Sequence, residues 1–395
     1  MKCLVVTNTD RMISLFFIPH IKLLQKMGYD VSIATALQNP RMMKDEFPEI
    51  SLHHVPFTRD LHPIRNMKAY AAIKKLLQEG KYDIVHVHTP IAAFLVRMAA
   101  PKKQQIIYTA HGFHFHEHGS RLSNWIYYVA EKVAASKTRK LIVINEEDFQ
   151  SAQRFLPIDK IHYIHGVGLD ADRFNPRNYS DKNKYELRKE LGISNDTIVI
   201  THLAEFNENK RQIDIVLAAE ELKKHTHNFV VLLLGDGSLA AEIKNEITNR
   251  KLEDYVFCLG YRGDIDQILS VTDIGLLVSL REGLPKSVME MMAMEIPLIV
   301  TDIRGNRDLV IDEKNGYVIP IRNPKALMEA CLRLIHNGNS RMEMGKRGRE
   351  RILDKFELDL ILVELEKIYE VFISDNAKLI RSEGEQSAQT VTIME

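Results

Sequence analysis

The feature that most constrains this chain is an alternation of short, β-branched apolar runs with longer amphipathic stretches, repeated over two successive halves. In the first half, Lys2 to Val6, Val31 to Ala34, Leu52 to Val55, Tyr82 to His88, Gln105 to Thr109 and Lys140 to Ile144 read as strands. Between them, Ile13 to Met27, Ile64 to Gln78, Ala92 to Ala100 and Ser123 to Lys137 read as helices, the first two stopped by Gly28 and Gly80. Such alternation implies a parallel sheet with helices on both faces, because each parallel strand needs a crossover to return.

A polar interval from Asp172 to Asn195, carrying a helical Lys184 to Leu191, is the candidate hinge. The alternation then restarts with strands over 197–203, 229–235, 256–259 and 271–280 and helices over 212–224, 239–250 and 265–271. At 395 residues the chain is too long for one typical core, so two domains are expected. The expected division is 1–178 and 179–356, with residues 375–395 as a polar, disordered tail. Two doubly wound α/β halves would bind ligands in the crevice at the carboxyl ends of their strands.

Composition narrows the partners. Lys plus Arg equals Asp plus Glu, so global charge gives no pointer to nucleic acid. Three cysteines, widely spaced and odd in number, fit a reducing compartment. The polar run Thr7–Asp10 follows Val6 too soon for a secretory signal, and no run reaches the length of a membrane span. The expectation is a cytoplasmic protein, peripheral to a membrane at most.

The chemistry concentrates in Arg281-Glu282-Gly283-Leu284-Pro285-Lys286-Ser287-Val288-Met289-Glu290. It places two carboxylates across a strand-to-helix corner. Gly283 lets a ligand approach the backbone, and Pro285 suits the first turn of a helix. The free N–H groups of that helix start suit a phosphate, and the carboxylates can accept hydrogen bonds from hydroxyls. A ligand with both phosphates and hydroxyls is a nucleotide sugar.

This stretch, with Asp302-Ile-Arg-Gly-Asn306 after the next strand, resembles the Glu-x7-Glu motif of retaining family 4 glycosyltransferases of the GT-B fold. The resemblance covers the chain to about residue 375. It implies two Rossmann-like doubly wound domains facing across a cleft, the acceptor on the first and the donor on the second. A last helix, about 357–374, would return to the first domain. By the same resemblance Glu282 binds hydroxyls of the donor sugar and Glu290 those of the ribose. Lys210 and the amides around Gly283, Leu284, Pro285 and Lys286 stabilise the departing diphosphate. His111, in Thr109-Ala-His-Gly-Phe113, matches the histidine of the family's HG motif and would polarise the reacting group.

Two loops depart from the family pattern. Lys210 stands at the usual lysine, but Glu205 stands where arginine is usual and Ala204 where glycine is usual. Arg211 is the substitute cation. The first strand-to-helix turn, Thr7 to Met12, lacks the glycines many members carry. Gly235 would line the nucleotide side, and Tyr261 and Arg262 are candidate base contacts. His114, His116 and His118 follow His111 at spacing two, but no Asp or Cys joins them at ligand spacing, so no metal is expected.

Between Arg97 and Lys140 there are eight Lys/Arg and two Asp/Glu, and the helix from Ser123 holds Trp125, the only tryptophan. Basic residues beside aromatics suit an anionic membrane surface. The same helix reads equally as a core helix with solvated flanks.

Within the resemblance, the chain looks most like bacterial enzymes of capsular or extracellular polysaccharide assembly. The implied donor is a UDP-sugar, used without cofactor or metal. The implied acceptor is an undecaprenyl-diphosphate-linked saccharide. The alternatives are a UDP-sugar 2-epimerase-like enzyme of the same fold, or a catalytically silent partner in a polysaccharide assembly complex.

Overall fold

The computed structural model describes residues 1–58 and 63–373. The chain forms two compact units. The first comprises Met1–Ile144, Asp148–Val167 and, among the described residues of the last helix, those from Asp359 to Ile373; the second comprises Gly168–Leu358 with Asn145–Glu147. The expected tail, 375–395, lies outside the described residues.

The first unit holds strands β1 (Lys2–Val6), β2 (Asp30–Thr35), β3 (Ser51–His54), β4 (Ile84–His88), β5 (Gln105–Ala110), β6 (Lys140–Val143) and β7 (Ile161–Tyr163). Their order is β3-β2-β1-β4-β5-β6-β7, every pair parallel. The second holds β8 (Ile198–Leu203), β9 (Phe229–Leu234), β10 (Val256–Gly260), β11 (Ile274–Leu277), β12 (Leu298–Thr301) and β13 (Gly316–Ile319), ordered β10-β9-β8-β11-β12-β13 and again all parallel. The strand order reverses between β1 and β4 and between β8 and β11. Crossovers leave a sheet on opposite faces at such a point, so the loops part and open a crevice.

β4, β8 and β9 are buried almost throughout, as expected of strands covered on both faces. Leu4, Val6, Val85, Val87 and Tyr108 anchor one core of the first unit. Ile200, Val231, Leu233, Leu276 and Ile299 anchor one of the second.

The structure departs from expectation at four places. The boundary falls at Val167–Gly168, not after residue 178. The polar interval 172–195 is folded onto the second unit, because helix Asp181–Glu190 has a Ser180/Asn183 capping box and Arg188 bonds Thr197 O (2.8 Å), Val271 O (3.2 Å) and Asp273 (3.2 Å). The helix expected over 13–27 is broken into Asp10–Met12, a π-turn Ile13–Phe17, and Ile18–Lys26. Pro19, in the last of these pieces, has no N–H to donate, so the ladder reorganises just before it. The strand expected from Val271 begins at Ile274. Val271 caps the preceding helix, and the Asp273 carboxylate accepts from Val199 N (2.9 Å).

Candidate functional site

In the second unit, the loops at the switch point are the one after β8, residues 204–211, and the one after β11, residues 278–285. They are bonded to each other. Leu280 N donates to Asn209 O (2.8 Å), and Asn209 Nδ2 donates to Arg281 O (3.0 Å). That lock brings Lys210 Nζ to 2.5 Å from Glu282 Oε1. Both side chains are largely shielded, so the pair is a charge-assisted bond in a low-dielectric corner.

Gly283 is held from below. Gly305 has φ +79°, and a Cβ there would collide with the Gly283 carbonyl. Arg304 Nε also donates to Glu282 O (3.3 Å). Leu284 packs on the core that Val288, Met289 and Val300 belong to. Helix Lys286–Ala293 follows, with Pro285 at its N-cap rather than inside its first turn. Lys286 Nζ lies 3.9 Å from Glu290 Oε1, one turn on. Burial pushes the Glu290 carboxyl up to about 7, although Lys286 and Arg173 pull the other way. Burial also lowers the Lys286 ammonium, against the pull of Glu290. The site therefore holds a carboxylate and a cation poorly compensated by water.

Other expected residues are placed as follows. Gly235 follows β9 with φ +133°, and a Cβ there would strike the Ala204 carbonyl, so this glycine lets the loop after β9 touch the switch-point loop after β8. Arg211 is left-handed (φ +54°) and its guanidinium is taken by Asp214 through two bonds, 3.0 and 2.6 Å. Glu205 is exposed, and its backbone O accepts from Gln212 Nε2 (3.0 Å). Tyr261 is exposed, while Arg262 is paired with Asp264 through bonds of 2.8 and 2.6 Å.

In the first unit, His111 follows β5 and joins three buried histidines, His20, His86 and His88. His111 Nε2 lies 3.1 Å from His88 Nδ1. His88 stacks on Phe17, at the end of the π-turn, with centroids 4.2 Å apart. His86, two residues before His88 on the same face of β4, bonds Thr109 Oγ1 (2.8 Å) and Tyr369 Oη (2.6 Å). His20 Nε2 bonds Val167 O (2.8 Å). Burial drives His111 and His86 down to about 3 and His20 to about 4, with like-charge repulsion inside the cluster adding to the shift of His111 and His86. His88 is lowered too. These imidazoles are neutral hydrogen-bonding groups. His114 and His118 go elsewhere: His114 stacks on Tyr127 (4.9 Å) and His118 pairs with Glu117 (3.4 Å).

Sequence reasoning missed His86, His88, His20, Arg173 and His202 as site residues. The His-x-His spacing on a strand was the available signal, since it puts both rings on one face. His202 is fully buried on β8, its Nδ1 3.1 Å from Leu276 O.

Each half of the chain matches a family of known proteins. The family described as "Glycosyl transferases group 1" matches residues 183–351, and "Glycosyl transferase 4-like" matches residues 2–145. EpsD of Bacillus subtilis is 31% identical over 383 residues, spanning 95% of this chain and 98% of its own. The UDP-Gal:alpha-D-GlcNAc-diphosphoundecaprenol alpha-1,3-galactosyltransferase of Escherichia coli is 30% identical, over 80% of this chain and 81% of its own. Anabaena HepE, solved in complex with UDP and glucose, superposes with a TM-score of 0.78 at 17% identity over 94% of this chain and all of its own. With each half matched to a glycosyltransferase family and the whole length shared with such relatives, the chain belongs to the group 1, family 4-like glycosyltransferases and has their GT-B fold.

Proposed function

We propose that this enzyme transfers a sugar, with retention, from a UDP-sugar to an undecaprenyl-diphosphate-linked saccharide in capsular or extracellular polysaccharide assembly. The observation that carries the donor half is the Lys210–Glu282 pair locked at the switch point of the second sheet, ahead of a helix start that bears Glu290. Lys210 and the first amides of helix Lys286–Ala293 stabilise charge on the leaving diphosphate. Glu282 orients donor-sugar hydroxyls and Glu290 the ribose. His111, neutral, donates or accepts a hydrogen bond at the reacting group. Same-face attack within an ion pair needs no enzymic nucleophile, and the protein cations remove the need for a metal. The lipid-linked acceptor is supported by the Escherichia coli relative, whose name specifies one.

The test is a calorimetric panel of UDP, GDP, ADP and CDP with and without chelator, followed by transfer of radiolabelled sugar to undecaprenyl-diphosphate GlcNAc. Selective UDP binding that survives chelation, with an α-linked lipid product from an α-donor, is expected. Preference for another nucleotide, or a chelator-dependent loss, overturns the donor reading.

A further inference from the structure

A cavity of ≈ 330 Å³ opens in the first unit between helices Pro90–Ala99 and Arg121–Ala135. Ile91, Phe94 and Leu95 line it from one helix, Ile126 and Ala130 from the other. Its polar members are Asn66, His114, Tyr127 and Glu131, and nearly all of its wall is apolar. Glu131 pairs with the buried Arg97 (2.8 Å) and accepts from Tyr108 Oη (3.3 Å). The His114 ring is stacked on Tyr127. What the cavity offers a ligand is therefore hydrocarbon surface, at a size near the lower end of small-molecule sites.

Two features give the cavity a direction. One end lies at the carboxyl edge of the sheet: Pro90 begins its helix directly after the β4 turn, and His114 is in the loop that His111 opens. The same edge carries exposed apolar residues in the first turns of helix Arg121–Ala135, which starts where the loop after β5 ends, and Ile126 joins them to the cavity wall. Leu122 is 70% exposed, Trp125 63% and Ile126 45%, at the three- and four-residue spacings that share one helix face. Arg121 and Lys132 are exposed on the same helix, whereas Arg97 is removed from the basic balance by its burial with Glu131. An exposed apolar stripe beside cations, continuous with an apolar cavity that starts near the His111 loop, fits one kind of molecule: an amphiphile with a polar, anionic reacting end and a hydrocarbon chain.

We infer that this cavity seats the first isoprenoid segment of the lipid-linked acceptor, the rest of the chain running over Leu122 and Trp125 toward a membrane. The inference rests on the acceptor reading above for the identity of the amphiphile. The cavity selects for a chain attached to the acceptor diphosphate, so it makes chain length a determinant of acceptor KM.

Trp125, the only tryptophan, is a built-in reporter at the rim. Titrating the whole protein with farnesyl diphosphate, below its aggregation threshold, is expected to shift tryptophan emission to the blue and saturate; inorganic diphosphate is expected to leave it unchanged. Ala130→Phe fills the cavity and Ile126→Gln makes its wall polar. Each is expected to weaken farnesyl diphosphate binding about tenfold, the loss of roughly two buried methylenes. Circular dichroism and melting temperature check that each variant is folded, and the two variants act through different parts of the wall. Equal affinity in wild type and both folded variants overturns the inference. So does an emission shift seen only with anionic vesicles and untouched by both variants, which would mean surface adsorption. The two readings separate in the transfer assay. Chain binding that depends on Ala130 and Ile126, without transfer to any lipid-linked saccharide, removes the acceptor assignment and leaves the hydrocarbon site. Transfer with one KM for long- and short-chain acceptors removes the site and leaves the function.

Discussion

At the scale of single residues, the site is set by what burial does to charge. Glu290 is the clearest case, with a carboxyl moved from 4.5 to about 7 mainly by desolvation. Its folded-state pKa is raised, so folding binds a proton between these values and stability falls as pH rises from about 4.5 to 7. Glu290→Gln has no such proton to lose. Its melting temperature should therefore gain on wild type as pH goes from 5 to 7.5, measured by scanning calorimetry; parallel curves would remove the shifted carboxyl. In the proposed ribose contact, hydroxyls donating to Glu290 would favour the ionised form, so UDP binding should release a proton near pH 6.5. Calorimetry in buffers of different ionisation heat measures that proton, and Glu290→Gln should abolish it. His111 gives the opposite sign. Its pKa is lowered to about 3, so it is uncharged throughout the working range. The pH–rate profile should accordingly show no limb from its protonation between pH 5 and 8. A rate that instead falls above about pH 6.5, the usual imidazole value, and loses that fall in His111→Gln would show that the imidazolium, not the imidazole, is the active form.

At the scale of elements, most strands were legible because a parallel strand buried on both faces is a continuous apolar run. Phe229–Leu234 is such a run, Ile198–Leu203 is one interrupted only by Thr201 and His202, and both lie within a residue of their expected limits. β7 has only three residues, and β13 begins at Gly316 directly after Asn315, where a short run beside turn residues carries little periodicity. Helices Pro324–His336 and Gly338–Lys355 abut at Asn337, which caps the second of them, and no loop separates them for a sequence pattern to mark. The Glu282–Glu290 corner was legible because its residues are contiguous. The support beneath it was not, since Gly305 meets Gly283 from beyond β12. That contact makes a prediction. Gly305→Ala must place a Cβ against the Gly283 carbonyl at a positive φ that alone costs roughly 1–2 kcal/mol. It should lower the melting temperature and weaken UDP binding together, because the loop that aims Glu282 is the part displaced. A variant that melts lower but binds UDP as wild type would uncouple the loop from the donor site.

At the scale of the whole molecule, the first unit is completed by residues from the other end of the chain. The helix over 358–373 belongs to that unit from Asp359 on and buries Ile361, Leu365, Ile368, Tyr369 and Phe372. Tyr369 accepts from Tyr29 Oη (3.2 Å) through its carbonyl and meets His86 through its hydroxyl, tying the helix to the histidine cluster behind His111. The resemblance to known enzymes anticipated such a return; its partners were out of reach, because 283 residues separate Tyr369 from His86. Five buried side chains at about 1.5–3 kcal/mol each amount to as much as a domain's whole net stability. A chain ending at residue 357 should therefore lose its first unit selectively. Hydrogen exchange should show the amides of β1, β4 and β5 unprotected, while β8, β9 and β11 keep their protection. Tyr369→Phe is the milder form of the same experiment. It keeps the ring in the core but takes one partner from the buried His86, at a cost of about 1–3 kcal/mol. If the loss stays local to the cluster, transfer should fall more than UDP affinity, since the histidines and the residues proposed to bind the donor lie in different units. If transfer and UDP affinity fall equally, the last helix supports the enzyme as a whole and not the histidine cluster in particular.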